Sequence, residues 1–134
     1  MIDELPDRWL LGLRGSRVTG VSTGKGLRVK LNTGVEIKVG ANALFTVGPA
    51  TAPGAVLRRV SEVPDDQLKE LIGARVLSSV GFKSGALRIV FDTGHHLSAR
   101  PTTPAVAAEV LKPGGFVWSY SAEGVKMKLD NSTT

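Results

Sequence analysis

Between residues 27 and 39 apolar and polar side chains alternate one for one. Leu27, Val29 and Leu31 are separated by Arg28 and Lys30, and after Asn32-Thr33-Gly34 the apolar Val35, Ile37 and Val39 are separated by Glu36 and Lys38. A period of two places one set of side chains on each face, as a half-buried antiparallel strand requires. Leu87, Ile89 and Phe91 repeat the alternation ahead of Asp92-Thr93-Gly94. In a three-residue loop of this kind the Asn or Asp bonds the turn backbone and the Gly takes the positive φ that closes it. Two β-hairpins are therefore predicted.

These hairpins belong to a longer duplication. Gly15, Arg17, Val18 and Lys25 recur as Gly73, Arg75, Val76 and Lys83, while Leu27, Arg28, Thr33 and Gly34 recur as Leu87, Arg88, Thr93 and Gly94. The offset grows by two residues between the two groups, so the turn after the first strand is longer in the second copy. An additional strand is predicted ahead of each hairpin, around Ser16 to Ser22 and Ala74 to Phe82, with Gly24-Lys25-Gly26 and Lys83-Ser84-Gly85 as the turns. Each copy, spanning about 13–48 and 71–100, is then a three-stranded meander that buries little by itself.

Residues 45–60 are broken by Pro49, Pro53 and Gly54 and suit short strands at most. Residues 63–73 (VPDDQLKELIG) read as a short helix, with Asp65 or Asp66 as cap and Gly73 after its end. The spacing in 103–112 predicts one or two helical turns, ended by Pro113-Gly114-Gly115. Residues 116–121 (FVWSYS) and 125–130 (VKMKLD) read as strands, and 122–134 as a partly flexible tail. The expected architecture is a single mainly-β domain over 1–134. In it a duplicated antiparallel meander packs as a small sandwich or barrel-like roll, with one or two short helices.

The chain has 17 Lys and Arg against 12 Asp and Glu, a net charge of +5, and no cysteine. Without cysteine there are no disulfides, thiolate metal sites or cysteine nucleophiles, which agrees with a reducing compartment. The first residues, MIDELPDRW, lack the basic start and long apolar core of a secretory signal, and no apolar run reaches the length of a membrane span. A cytoplasmic protein without membrane association is expected. Basic charge concentrates in the repeated units, whereas 61–72 holds four acidic residues and one basic. That balance favours an acidic partner.

Recognisable catalytic machinery is lacking. His95 and His96 are adjacent on a strand, so they point to opposite faces and do not chelate one metal together. By register His95 shares the inward phase of Val35, a structural position, and His96 the outward phase of Glu36. Ser98, Asp92 and Glu109 make no triad spacing with them, and Gly24-Lys25-Gly26 lacks the rest of a phosphate loop. What remains is a basic surface: Arg28, Lys30 and Lys38 face outward in the first copy, and Arg88, His96 and Arg100 at the corresponding positions of the second. Trp9 with Leu10, Leu11 and Leu13 is read as covering an open end of the sheet or as a partner contact.

The paired Gly-x-Arg-Val starts (Gly15 to Val18, Gly73 to Val76), the Leu-Arg strands with their Asn/Asp-Thr-Gly turns, and Pro113-Gly114-Gly115-Phe116 together resemble a small bacterial domain family of unknown function with a duplicated β-meander. The resemblance covers most of residues 13–121 and implies no catalytic residue, and on the residues themselves no metal site or cofactor is expected. The functional expectation is a non-enzymatic cytoplasmic binding module for an acidic protein partner, of immunity or regulatory type. The alternative is nucleic-acid binding by the same basic face, and a histidine-dependent enzyme ranks third.

Overall fold

The computed structural model describes residues 2–49, 51–101 and 107–129. Strands β1 (Asp3–Glu4), β2 (Arg8–Leu10), β3 (Val18–Thr23), β4 (Gly26–Leu31), β5 (Glu36–Gly40) and β6 (Leu44–Val47) precede a one-turn helix, α1 (Asp65–Leu68). After it come β7 (Val76–Phe82), β8 (Leu87–Phe91), β9 (His95–Ala99), β10 (Ala108–Lys112), β11 (Phe116–Ser121) and β12 (Gly124–Leu129). All pairings between them are antiparallel and form two sheets, in the orders β1-β2-β7-β8-β9-β6 and β12-β11-β10-β5-β4-β3. The expected duplicated meander is present as β3-β4-β5 and β7-β8-β9, and the sheets form a sandwich rather than a closed barrel.

The duplication extends to individual main-chain bonds. In the first hairpin Gly34 N–H donates to Leu31 C=O at 3.0 Å, and in the second Gly94 N–H donates to Phe91 C=O at 3.0 Å. Both glycines take positive φ, 87° and 91°, as the loop requires. Asn32 Oδ1 then accepts from Arg17 N–H at 3.0 Å and Asp92 Oδ1 from Arg75 N–H at 2.9 Å. The two arginines bridge each other across the join between the sheets. Around that bridge Val18 N–H donates to Ala74 C=O and Val76 N–H to Ser16 C=O, while Gly15 N–H reaches Val76 C=O and Gly73 N–H reaches Val18 C=O. Each bond has its counterpart in the other copy, so the meanders meet about an approximate two-fold axis. β3 and β7 also share a register shift, between Val18 and Gly20 and between Val76 and Ser78, a bulge that turns the strand where the sheets part.

Each copy then hands its next strand to the other. β6 follows β5 but pairs with β9, and β10 follows β9 but pairs with β5. The inner faces, including Val29, Val35, Ile37, Val76, Ile89, Phe91, Leu97, Val110 and Trp118, join in one buried cluster. The amino-terminal segment is part of it. β2 pairs with β7, Leu11 N–H continues the ladder to Ser79 C=O, and Leu11 and Leu13 are buried. The buried Ser79 is satisfied there because its Oγ accepts from Leu13 N–H at 3.2 Å. Leu68 of α1 and Leu71 of the following 3-10 turn are also buried.

Two expectations are corrected. Residues 108–112 (Ala-Glu-Val-Leu-Lys), read as helical from their spacing, form β10 in the interior of the second sheet, because pairing on both sides outweighs the local preference; residues 103–106 of that stretch lie outside the described residues. The short helix between the copies is present, but neither Asp65 nor Asp66 caps it. Pro64 occupies the cap position without a side-chain bond, and Gln67 N–H donates to Pro64 C=O. Within 122–134, residues 124–129 form an ordered edge strand and 130–134 lie outside the described residues.

The sandwich closes tightly where β11 faces the β7–β8 turn. A Cβ at Gly81 would stand 2.6 Å from Trp118 Nε1, whereas one at Gly20 would meet Lys30 Cβ at 3.8 Å, an ordinary contact. Gly81→Ala is therefore expected to cost about 1–3 kcal/mol by overpacking, with Gly20→Ala changing stability by less than about 1 kcal/mol, as read by urea denaturation. In the same assay Asp92→Ala should cost about 1 kcal/mol, the net value of one hydrogen bond to the backbone.

Candidate anion-binding site

The six basic positions expected to share one surface divide between the two sheets. Arg28, Lys30 and Lys38 lie on the outer face of the second sheet, and Arg88 and His96 on the outer face of the first, with Arg100 just past the end of β9 in the same phase as His96. The shared core lies between these faces, so they point away from each other and make two basic areas.

The two areas differ in charge compensation. On the second sheet Arg28 Nε is 3.3 Å from Glu36 Oε1, and Lys38 Nζ is 3.6 Å from Glu109 Oε1. On the first sheet the residue equivalent to Glu36 is His96, so the carboxylate that pairs with Arg28 has an imidazole as its counterpart beside Arg88. Among the described residues no carboxylate lies within ion-pairing distance of Arg88 or Arg100. Lys30 of the second sheet has no ion pair among the described residues either, so the divergence between copies changes the arginine: Arg28 has a carboxylate partner and Arg88 has none.

The strand register brings those cations together. Arg88 lies across from Ser98, and Val90 across from His96. His96, Ser98 and Arg100 share one side of the chain because alternate strand residues do. These side chains line a groove of about 430 Å³, with Ser78, Phe82 and Val90 from the neighbouring strands and Pro49 and Thr51 from the segment after β6. The guanidinium carbons of Arg88 and Arg8 lie 5.7 and 4.8 Å from the Phe82 ring centroid, a cation–π arrangement. Arg8 is paired with Asp7 at 2.9 Å. Cationic groups, hydroxyls and an apolar floor in one concavity suit binding of an anion attached to an apolar or aliphatic carrier.

His96 carries the main electrostatic signature of the groove. Burial, and secondarily the positive charge of Arg88, hold its imidazole below the ordinary histidine value. His95 points the other way. Its ring stacks on Phe45 with centroids 4.8 Å apart and an interplanar angle of 14°, and its Nδ1 is 2.8 Å from Thr93 Oγ1. This agrees with the inward, structural position read from the register. Trp9, read as an end cover or partner contact, lies in β2, partly buried against the core with Lys83 Nζ 5.1 Å from its ring.

Sequence reasoning placed Arg88, His96 and Arg100 on a binding surface but not Ser98, Ser78, Thr51 or Phe82. Strand alternation alone was enough to find Ser98, midway between His96 and Arg100. Ser78 and Thr51 reach the groove only through the bulge in β7 and the path of the chain after β6, for which there is no local signal.

The chain belongs to DUF6188, a family of unknown function, whose model matches residues 9–126. That span contains both meanders, β10, β11 and the whole groove. No curated protein and no solved structure matches the chain.

Because burial is the larger cause of the low His96 value and Arg88 the smaller, removing the charge should restore it only in part. In Arg88→Ala the His96 midpoint is expected to rise but to stay below the ordinary value of about 6.5. An NMR titration of the imidazole Cε1 proton reads this, and an unchanged midpoint contradicts the coupling.

Proposed function

We propose that the protein is a non-enzymatic, cytoplasmic binding module that recognises an acidic protein partner through the groove holding Arg88, His96 and Arg100. The observation that carries this reading is the difference between the faces. Arg28 and Lys38 have carboxylate partners within the chain, whereas Arg88 and Arg100 have none among the described residues and line a concavity. Both guanidiniums are exposed at the groove, so without a carboxylate of the chain they are free to form charge-assisted bonds to an external anion.

The lining favours binding over catalysis. Among the described residues hydroxyls and cations line the groove but no carboxylate does, and a histidine general base ordinarily relies on an orienting acid. A protein partner is favoured over nucleic acid by the aromatic side chains. Phe91, Phe116 and Trp118 are buried, Phe45 stacks on His95, and Phe82, the aromatic of the groove, has Arg8 and Arg88 against its ring. Single-stranded nucleic acid is gripped by stacking on open rings. The absence of cysteine supports the cytoplasmic assignment.

Capture of partners from native cells by the immobilised chain, with and without nuclease, tests the reading. Wild type and Arg28→Ala/Lys30→Ala should retain an acidic protein that nuclease does not release, and Arg88→Ala/Arg100→Ala should lose it by at least about tenfold. Loss on nuclease treatment, or equal loss in both double variants, overturns the assignment.

A further inference from the structure

We propose that the groove receives a phosphoryl group carried on a side chain of the acidic partner, an inference that rests on the reading above and specifies its ligand. The argument starts from register. Ser98 lies directly across from Arg88, and His96 and Arg100 follow on either side of Ser98 in the same phase, so three side chains of one strand face one arginine. Directly opposed residues stand about 5 Å apart and diagonal ones about 7–8 Å. An arginine side chain is long enough to span that distance, so a ligand above Ser98 is within reach of both guanidiniums and the imidazole that line the groove. The Phe82 ring lies beside the Arg88 guanidinium, at 5.7 Å, a cation–π contact that uses none of its N–H donors.

Charge then selects the ligand. Two guanidiniums without internal carboxylates carry two positive charges, and a single carboxylate would neutralise one of them. A phosphate monoester brings about −1.5 to −2 charges at neutral pH and three acceptor oxygens. Those oxygens match two guanidinium forks and a ring N–H, with the Ser98 and Ser78 hydroxyls as further donors. A phosphodiester of a nucleic-acid backbone carries one charge per phosphate and fits the pair less well. Phe82 and Val90 on the floor would meet the carbon chain that bears the phosphate. The divergence between the copies points the same way, because a carboxylate at position 96, as at the equivalent Glu36, would repel such a group.

The test uses the full chain, isotopically labelled, at constant ionic strength and pH about 7, where the monoester is largely dianionic. Inorganic phosphate is expected to shift the Arg88 and Arg100 Nε–H and His96 ring resonances saturably, at least about tenfold more tightly than acetate. The shifts should be lost in Arg88→Ala/Arg100→Ala and kept in Arg28→Ala, with amide spectra elsewhere confirming that both variants fold. An acidic peptide containing phosphoserine should bind at least about tenfold more tightly than the same peptide with Glu in its place. Equal shifts with phosphate and acetate, or phosphate shifts that survive the double substitution, overturn the proposal. If the Glu peptide binds as well as the phosphopeptide while Arg88→Ala/Arg100→Ala still abolishes partner capture, the phosphoryl ligand is refuted and the acidic-partner reading stands. If a single-stranded oligonucleotide binds more tightly than either peptide, both readings fall.

Discussion

Each meander of this protein has one apolar face and no means of covering it alone, and the main-chain cross-link at Arg17 and Arg75 brings the two faces together. The link is a bridge between equivalent residues of the two copies, flanked by paired bonds between Val18 and Ala74 and between Val76 and Ser16. Asn32 and Asp92 hold the crossing from behind by accepting from the two arginine N–H groups. Because these bonds involve backbone and turn residues, they depend on hairpin geometry rather than on the arginine side chains, which remain exposed. The offset between the sheets, the position of the bulges and the start of the shared core all follow from this crossing.

The exchange of β6 and β10 between the copies completes the enclosure. A strand that crosses to the other copy ties the meanders together by ladder bonds as well as by apolar contact, and it moves the sheet edges outward to β1, β6, β3 and β12. The segment after β6 is thereby carried over the outer face of the first sheet, where Pro49 and Thr51 form one wall of the groove. The concavity is thus a by-product of the exchange. Its charge reflects divergence between copies: the ladder that places Arg28 beside Glu36 in one sheet places Arg88 beside His96 in the other.

The signals that were legible in the chain are those tied to local geometry. The period-two alternation around Leu27 to Val39 and Leu87 to Phe91 identified the strands and the faces they bury. The Asn/Asp-Thr-Gly turns identified the hairpins and their loop type. Register separated His95 from His96 correctly, since adjacent strand residues point to opposite faces whatever the sheet order. The Ala-Glu-Val-Leu-Lys stretch at 108–112 misled because its spacing suits helical turns, and pairing with β11 on one side and the distant β5 on the other makes it a strand.

The amino-acid sequence by itself therefore determined the two meanders, their inward and outward faces and the cationic residues available for binding. All of these are set within a few residues by turn chemistry and side-chain alternation. The tertiary structure decided which sheet each cation occupies, which cations meet a carboxylate and which surround a hollow. Those outcomes depend on strand order and on the exchange of β6 and β10, which pair residues tens of positions apart. Two basic hairpins that look alike in the chain become, once paired, one surface on which Arg28 and Lys38 meet carboxylates and one on which Arg88 and Arg100 do not.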